Sequence, residues 1–307
     1  MKIRVLGTAA GGGFPQWNCS CPNCSGHRDG TLAAHALLQS SLAISPNEKD
    51  WYLVNAGPDV RMQIESFSAL HPGPGIRKTP LRGVILTDAE LDHTIGLLSL
   101  REGSSFTIYG TEAVRNSLQS AFPVFPMLKN YCSWEWQSFD PDHPSILGDP
   151  AEEAMTMTAV PVSKKPPLYA RTHEKEVLSD EIWEVGLVLH NENSGRTLAY
   201  FPTLENVTPA IEEHLQKADI LMVDGTFWSK NELVEMGATE RGADRMGHLP
   251  IGGEAGTAEK LSALPAERKI FIHINNSNPI LREDSTERRE LERLGFEVAF
   301  DGLEVEV

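Results

Sequence analysis

Residues 82–96 read Arg-Gly-Val-Ile-Leu-Thr-Asp-Ala-Glu-Leu-Asp-His-Thr-Ile-Gly, and this stretch restricts the fold more tightly than any other. Gly83–Thr87 is a short apolar run rich in β-branched residues, which predicts a buried strand. Asp88, Glu90, Asp92 and His93 crowd directly behind it. In open α/β sheets ligands gather outside the carboxyl ends of strands, so chemistry is expected here. Three carboxylates this close repel one another unless a cation or buried protons offset them. A solvated helix start, whose acidic residues complement the helix dipole, explains Asp88 as a cap. It does not explain His93 followed by the turn-like Thr94-Ile95-Gly96. A metal site accounts for both.

Two later strands repeat the pattern. Ile220–Val223 runs into Asp224-Gly225-Thr226, and Lys269–Ile272 runs into His273-Ile274-Asn275-Asn276-Ser277-Asn278-Pro279. Strands ending at Thr87, Val223 and Ile272 therefore each deliver potential metal ligands: Asp88, Glu90, Asp92 and His93, then Asp224, then His273. His248, in Met246-Gly247-His248-Leu249-Pro250, suits substrate contact or proton transfer, or is a plain loop histidine.

Around these, alternation and apolar runs predict strands at 2–7, 41–44, 51–54, 106–109, 155–160, 183–190, 197–201 and 296–300. Helices are expected over 60–70, 111–120, 208–218, 257–264 and 284–294. Residues 122–126 and 130–139, rich in aromatics and proline, are expected to be irregular, forming either a lid or one wall of a pocket or ordinary surface packing. Pro161–Tyr169 is expected as a loop. No repeat or long linker marks a boundary, so residues 1–307 read as a single α/β domain.

Cys19-Ser20-Cys21-Pro22-Asn23-Cys24 places three thiols on one tight loop, a spacing suited to tetrahedral zinc. Three thiolates leave no reason for an open position, so this zinc is expected to be structural. A fourth ligand is required, and His27 is near in sequence; a residue of the C-terminal region is the alternative. Such a loop near the surface is compatible with a homodimer. The net charge of −16, from 43 acidic against 27 basic residues, repels a phosphate backbone and argues against a nucleic-acid partner. No apolar stretch reaches membrane-spanning length, and the start lacks a secretory signal's apolar core, so the expected compartment is the cytoplasm.

The strand, the acidic cluster ending in Asp92-His93-x-x-Gly96, Asn55-Ala56-Gly57 upstream and His273 behind a late strand together resemble the metallo-β-lactamase superfamily. That resemblance implies a four-layer αββα sandwich with metal at one edge. The superfamily's usual His-x-His-x-Asp-His appears here as Asp88, Glu90, Asp92 and His93, so carboxylates replace both leading histidines. Gly12–Cys19, Thr87–His93 and His273–Pro279 further resemble the branch that serves pyrroloquinoline quinone (PQQ) synthesis. This implies work on a glutamate–tyrosine-derived precursor, through iron-dependent oxygenation of the tyrosine ring; the older alternative is carriage of PQQ or its precursor towards the periplasm. In related branches a histidine three residues beyond the last active-site histidine is the fourth structural-zinc ligand. That position is Asn276 here, with His27 as competitor.

Loss of both leading imidazoles makes a dinuclear zinc hydrolase a poor expectation, although a metal-dependent hydrolase is retained as an alternative. What remains is His93, His273 and a carboxylate, Asp92 being nearest. Two histidines and one carboxylate suit Fe(II) and oxygen chemistry. Asp88, Glu90 and Asp224 would complete the ligand set or orient it.

Overall fold

The computed structural model describes residues 1–102, 105–140, 143–149, 151, 153–171, 181–253 and 256–307. Its strands are β1 (Lys2–Gly7), β2 (Ser41–Ser45), β3 (Trp51–Val54), β4 (Leu81–Ile85), β5 (Phe106–Gly110), β6 (Trp134–Ser138) and β7 (Ser145–Gly148). There follow β8 (Ala154–Ser163), β9 (Glu184–Asn191), β10 (Thr197–Phe201), β11 (Ile220–Asp224), β12 (Arg268–Ile272), β13 (Phe296–Val298) and β14 (Glu304–Glu306). Two units share them: Met1–Leu6, Ser41–Arg196 and Gly302–Val307 make the first, and Gly7–Ser40 with Thr197–Asp301 the second.

In the first unit one sheet runs β14-β1-β2-β3-β4-β5-β6. Strands β3 to β6 are parallel, whereas β1 with β14 and β2 with β3 are antiparallel. β4 is flanked on both edges, and Val84, Ile85 and Leu86 are fully buried, which is why the chain there is continuously apolar rather than alternating, after the exposed Arg82 at the start of the strand. One face of this sheet packs Trp51, Leu53, Val84, Leu86 and Ile108 into a core with Val114 and Leu118 of the helix Glu112–Gln119. Strand pairing continues past β4: the Leu86 N–H donates to the Tyr109 carbonyl, and the Thr87 carbonyl accepts from the Val185 N–H, both at 2.9 Å. The acidic cluster thus begins where the strand stops. β7, β8 and β9 form an antiparallel set in the same unit.

Gly96 shows why the turn after His93 needs glycine. A Cβ there would stand 2.0 Å from the Gly57 carbonyl oxygen and 2.7 Å from that of Ala56. The Gly96 N–H donates to the Ala56 carbonyl at 2.8 Å, and the Ala56 N–H to the His93 carbonyl at 2.7 Å. Asn55-Ala56-Gly57 therefore lies directly on the His93 turn, with Asn55 in the left-handed region at φ 62°.

The second unit carries the parallel set β13-β12-β11-β10. Its helix Pro209–Lys217 starts as expected, with Thr208 Oγ1 accepting from the Ile211 N–H and proline in the first turn. The helix Pro22–Asp29 begins at Cys21 and stops at Gly30, which takes the left-handed cap conformation.

Several local expectations are corrected. Residues 124–128 form a helical turn and β6 is a regular edge strand rather than irregular chain. Within β6, Trp134 and Trp136 are partly buried while Glu135 and Gln137 are exposed, the period of two that the density of aromatics obscured. β8 continues through Pro161 to Ser163 instead of ending at Val160, and its register shifts between those two residues, where a proline without an N–H is tolerated. The helix expected over 60–70 breaks into Val60–Glu65 and a single turn at Ser68–Leu70. Phe296–Val298 is not the closing strand; β14 is, paired with β1. No helix among the described residues is long and apolar enough to cross a membrane.

Candidate metal centres

In the first unit, Asp88 and His93 are both buried, and Asp88 Oδ2 lies 2.7 Å from His93 Nδ1. The same carboxylate accepts from the Thr87 hydroxyl at 2.8 Å and, through Oδ1, from the Glu90 N–H at 2.9 Å. Thr87 is itself fixed by Asn55, whose Oδ1 accepts from the Thr87 N–H at 3.0 Å. Asp88 thus stands behind the imidazole, as a carboxylate that orients a metal-binding histidine does. On the other side, His93 Nε2 is 3.8 Å from Asp92 Oδ2. Burial disfavours charge on His93, but Asp88, Asp92 and Glu90 outweigh it and raise the imidazole to about 10. Glu90 is solvent-facing at residue level, yet partial enclosure of its carboxyl and the charges of Asp88 and Asp92 push it to about 7. The two shifts share one cause, the negative charge of neighbouring carboxylates, although burial is the larger cause at Glu90.

In the second unit, Asp224, His248 and His273 offer ligand atoms within 4.8 Å of one another. Asp224 ends β11; its Oδ2 accepts from the Leu204 N–H at 2.9 Å and faces His248 Nδ1 at 2.8 Å. The Thr226 hydroxyl lies 2.6 Å from Asp224 Oδ1 and 2.8 Å from His273 Nδ1. A hydroxyl has one proton; given to the carboxylate, it leaves the oxygen to accept from Nδ1–H. That assigns the lone pair of His273 to Nε2, the form that binds metal. The two imidazole rings stack with centroids 5.5 Å apart. His273 holds φ at 59°, a conformation uncommon for a residue with a side chain. Gly225 permits the close pass beneath it, since a Cβ there would meet the Ile272 carbonyl at 2.8 Å.

The same unit holds Cys19, Cys21 and Cys24, again within 4.8 Å of one another. The Cys21 N–H points at Cys19 Sγ (3.4 Å) and the Cys24 N–H at Cys21 Sγ (3.5 Å). Burial and the Cys21 sulfur push the Cys24 thiol up to about 11. Cys19 is lowered, because hydrogen bonds from its neighbours overcome burial. Three thiols this close cannot all ionise without a cation, and zinc supplies the charge that lets them do so. The Asn276 side chain meets all three sulfurs, its Nδ2 lying 3.2, 3.5 and 3.3 Å from Cys19, Cys21 and Cys24. His27 does not join them: its Nδ1 faces the Ala34 carbonyl at 2.9 Å, and its ring packs on Phe14. Of those two residues, Asn276 therefore lies at the sulfurs and His27 is turned towards Ala34.

The expected site residues therefore gather as Asp88, Glu90, Asp92 and His93 in one unit, and as Asp224, His248, His273 and the thiol group in the other. Sequence reading missed Thr226, Thr87 and the role of Asn55. Their only signal is a polar residue at a strand end, which ordinary capping also produces.

A model of the β-lactamase superfamily domain matches residues 50–274. The coenzyme PQQ synthesis protein B of Pseudomonas syringae pv. syringae is 42% identical over 308 residues, covering 100% of both chains. That of Cupriavidus necator is 44% identical over 305 residues, covering 99% of each. Among solved structures, Zn(2+)-bound PqqB from Methylobacterium extorquens is 35% identical, covers 100% of both chains and superposes with a TM-score of 0.88. The chain belongs to the β-lactamase superfamily and, within it, to the family of coenzyme PQQ synthesis protein B. Its fold is the metallo-β-lactamase fold, in the α/β class that the motifs imply.

Proposed function

We propose that this chain is a metal-dependent enzyme of PQQ biosynthesis that oxygenates the tyrosine moiety of a glutamate–tyrosine-derived precursor. The observation that supports this most is the pinning of three imidazoles at one nitrogen each: His93 by Asp88, His248 by Asp224 and His273 by Thr226. Such pinning selects a tautomer and a direction, which a merely solvated histidine has no need of. The donor set is nitrogen and carboxylate oxygen without sulfur, and it fits a divalent cation of the iron group. His93, His273 and Asp92 are proposed as ligands to one Fe(II); the basis for assigning them to a common ion is the superfamily motif. Bound there, Fe(II) supplies one-electron chemistry with oxygen.

The protein's own residues have separate tasks. Asp88 and Asp224 orient imidazoles and offset their charge. Glu90, at about 7, is poised to take the proton of a phenolic substrate near neutral pH. His248, braced by Asp224 and stacked on His273, is the second candidate for proton transfer. At the thiols, turning the Asn276 amide directs Oδ1 rather than Nδ2 at the cluster, which completes a four-ligand structural zinc site. The small-molecule partner carries carboxylates, which a chain of net charge −16 repels unless the bound cations compensate.

Anaerobic loading with Fe(II), followed by oxygen, ascorbate as the two-electron donor and a glutamyl-tyrosine dipeptide, should give a ring-hydroxylated product, the second oxygen atom leaving as water. Turnover restored by zinc alone, with hydrolysis as the reaction, overturns the oxygenase. Tight equilibrium binding of PQQ without turnover of precursor points instead to a carrier.

A further inference from the structure

The turn Asn275–Asn278 lies between the two clusters of the second unit, and both ends of it are held. His273 precedes it, and Asn276 within it faces the three sulfurs. On the thiol side, Asn23 sits between Cys21 and Cys24 and is buried. Its Nδ2 donates to the Asn276 carbonyl at 3.1 Å and to the Asn278 carbonyl at 2.9 Å, so both amide protons go to the turn. On the histidine side, Asn278 Nδ2 donates to the Gly225 carbonyl at 2.9 Å, and the Asn275 N–H to the Thr226 carbonyl at 3.1 Å. Thr226 is the residue that pins His273. Behind the turn, the buried Glu232 carboxylate accepts from the Ser277 hydroxyl and from the Trp228 N–H, anchoring it to a third segment.

We propose that Asn23 is a positioning residue that ties metal capture at the thiols to the placement of His273. Drawing Cys21 and Cys24 onto an ion fixes the first helical turn that carries Asn23. Asn23 then fixes the backbone of Asn276–Asn278, and that turn, through Thr226, fixes an imidazole held in a sparsely populated conformation. The thiol ion thereby sets the affinity of the His273 cluster without touching it. This rests on the reading that both clusters hold metal.

The test uses the full chain carrying one equivalent of zinc, titrated with Co(II), whose d–d absorption reports the ligands it meets. Asn23→Ala should keep its zinc, because no ligand is removed, yet bind Co(II) at the His273 cluster about tenfold more weakly, with shifted bands. Affinity and bands equal to wild type overturn the proposal. A wild-type chain that takes no Co(II) at His273 overturns the metal reading, and this proposal with it. Should the variant lose zinc or fail to fold, the wild-type chain decides: one equivalent of Cd(II), a soft ion drawn to sulfur, should slow amide exchange across residues 273–278. Unchanged exchange overturns the coupling.

Discussion

The two clusters of the second unit sit either side of one turn and are built on opposite principles. The thiol cluster takes its ligand residues mainly from one short stretch, Cys19–Cys24, and its backbone N–H groups point at sulfur. The His273 cluster draws Asp224, His248 and His273 from three separate segments, and its polar contacts are imidazole to carboxylate or hydroxyl. A local sulfur site is legible from spacing, and three thiols on one short stretch suit a structural ion. The members of the His273 cluster were legible one by one, two of them at strand ends, but their grouping was not, and mixed donors of this kind suit an ion that works. Thiols and mixed imidazole–carboxylate donors suit ions of different softness.

Three experiments test that contrast and a fourth turns to His93, the largest effect first. His273→Ala should abolish turnover and metal at the His273 cluster while leaving zinc at the thiols, as read by metal content after dialysis. Zinc lost from both places in that variant would break the separation. Cys24→Ser should do the reverse of a working-site lesion: thermal unfolding should show a loss of about 3 kcal/mol or more, since metal binding here is folding free energy. Asp224→Asn keeps the size of the side chain but weakens its hold on His248. Metal affinity at that cluster should fall about 10- to 100-fold with little change in zinc at the thiols.

The smallest effect is a pH slope in the metal-free chain. The His93 imidazole, raised to about 10 in the folded protein, has an ordinary value of about 6.5 when unfolded. Its stabilising contribution is complete below about pH 6.5 and is lost as pH climbs towards 10. Asp88→Asn should flatten that slope in denaturant titrations, because Asp88 is the principal charge that raises it. Loaded metal should flatten it as well, by replacing the proton.

Much of the scaffold was readable because burial leaves a direct mark. β4, β11 and β12 are apolar runs with paired neighbours, and polar residues appear where each stops. The thiol loop announced itself by spacing. Which residue lies at the thiols was not readable from spacing: His27 is three residues from Cys24 and faces another way, while Asn276, offered only by the resemblance, meets the sulfurs from 252 residues down the chain. Thr226 escaped for a related reason. Its importance lies in donating to Asp224 while accepting from His273, and such bridging exists only in three dimensions. β6 escaped because a run of aromatics hid a simple alternation.

β14 has a consequence of another kind. It completes the sheet of the first unit by lying against β1, and Arg4 meets Glu304 across 300 positions of sequence. During synthesis, β1 leaves the ribosome long before its partner exists. One of its edges must wait uncovered, in a sheet whose other members are already available. Closing so long a loop slows the final pairing, and until it happens the open edge invites strands from other chains. Yield in the cell should therefore depend on how well β1 is shielded while the remainder of the polypeptide is being made.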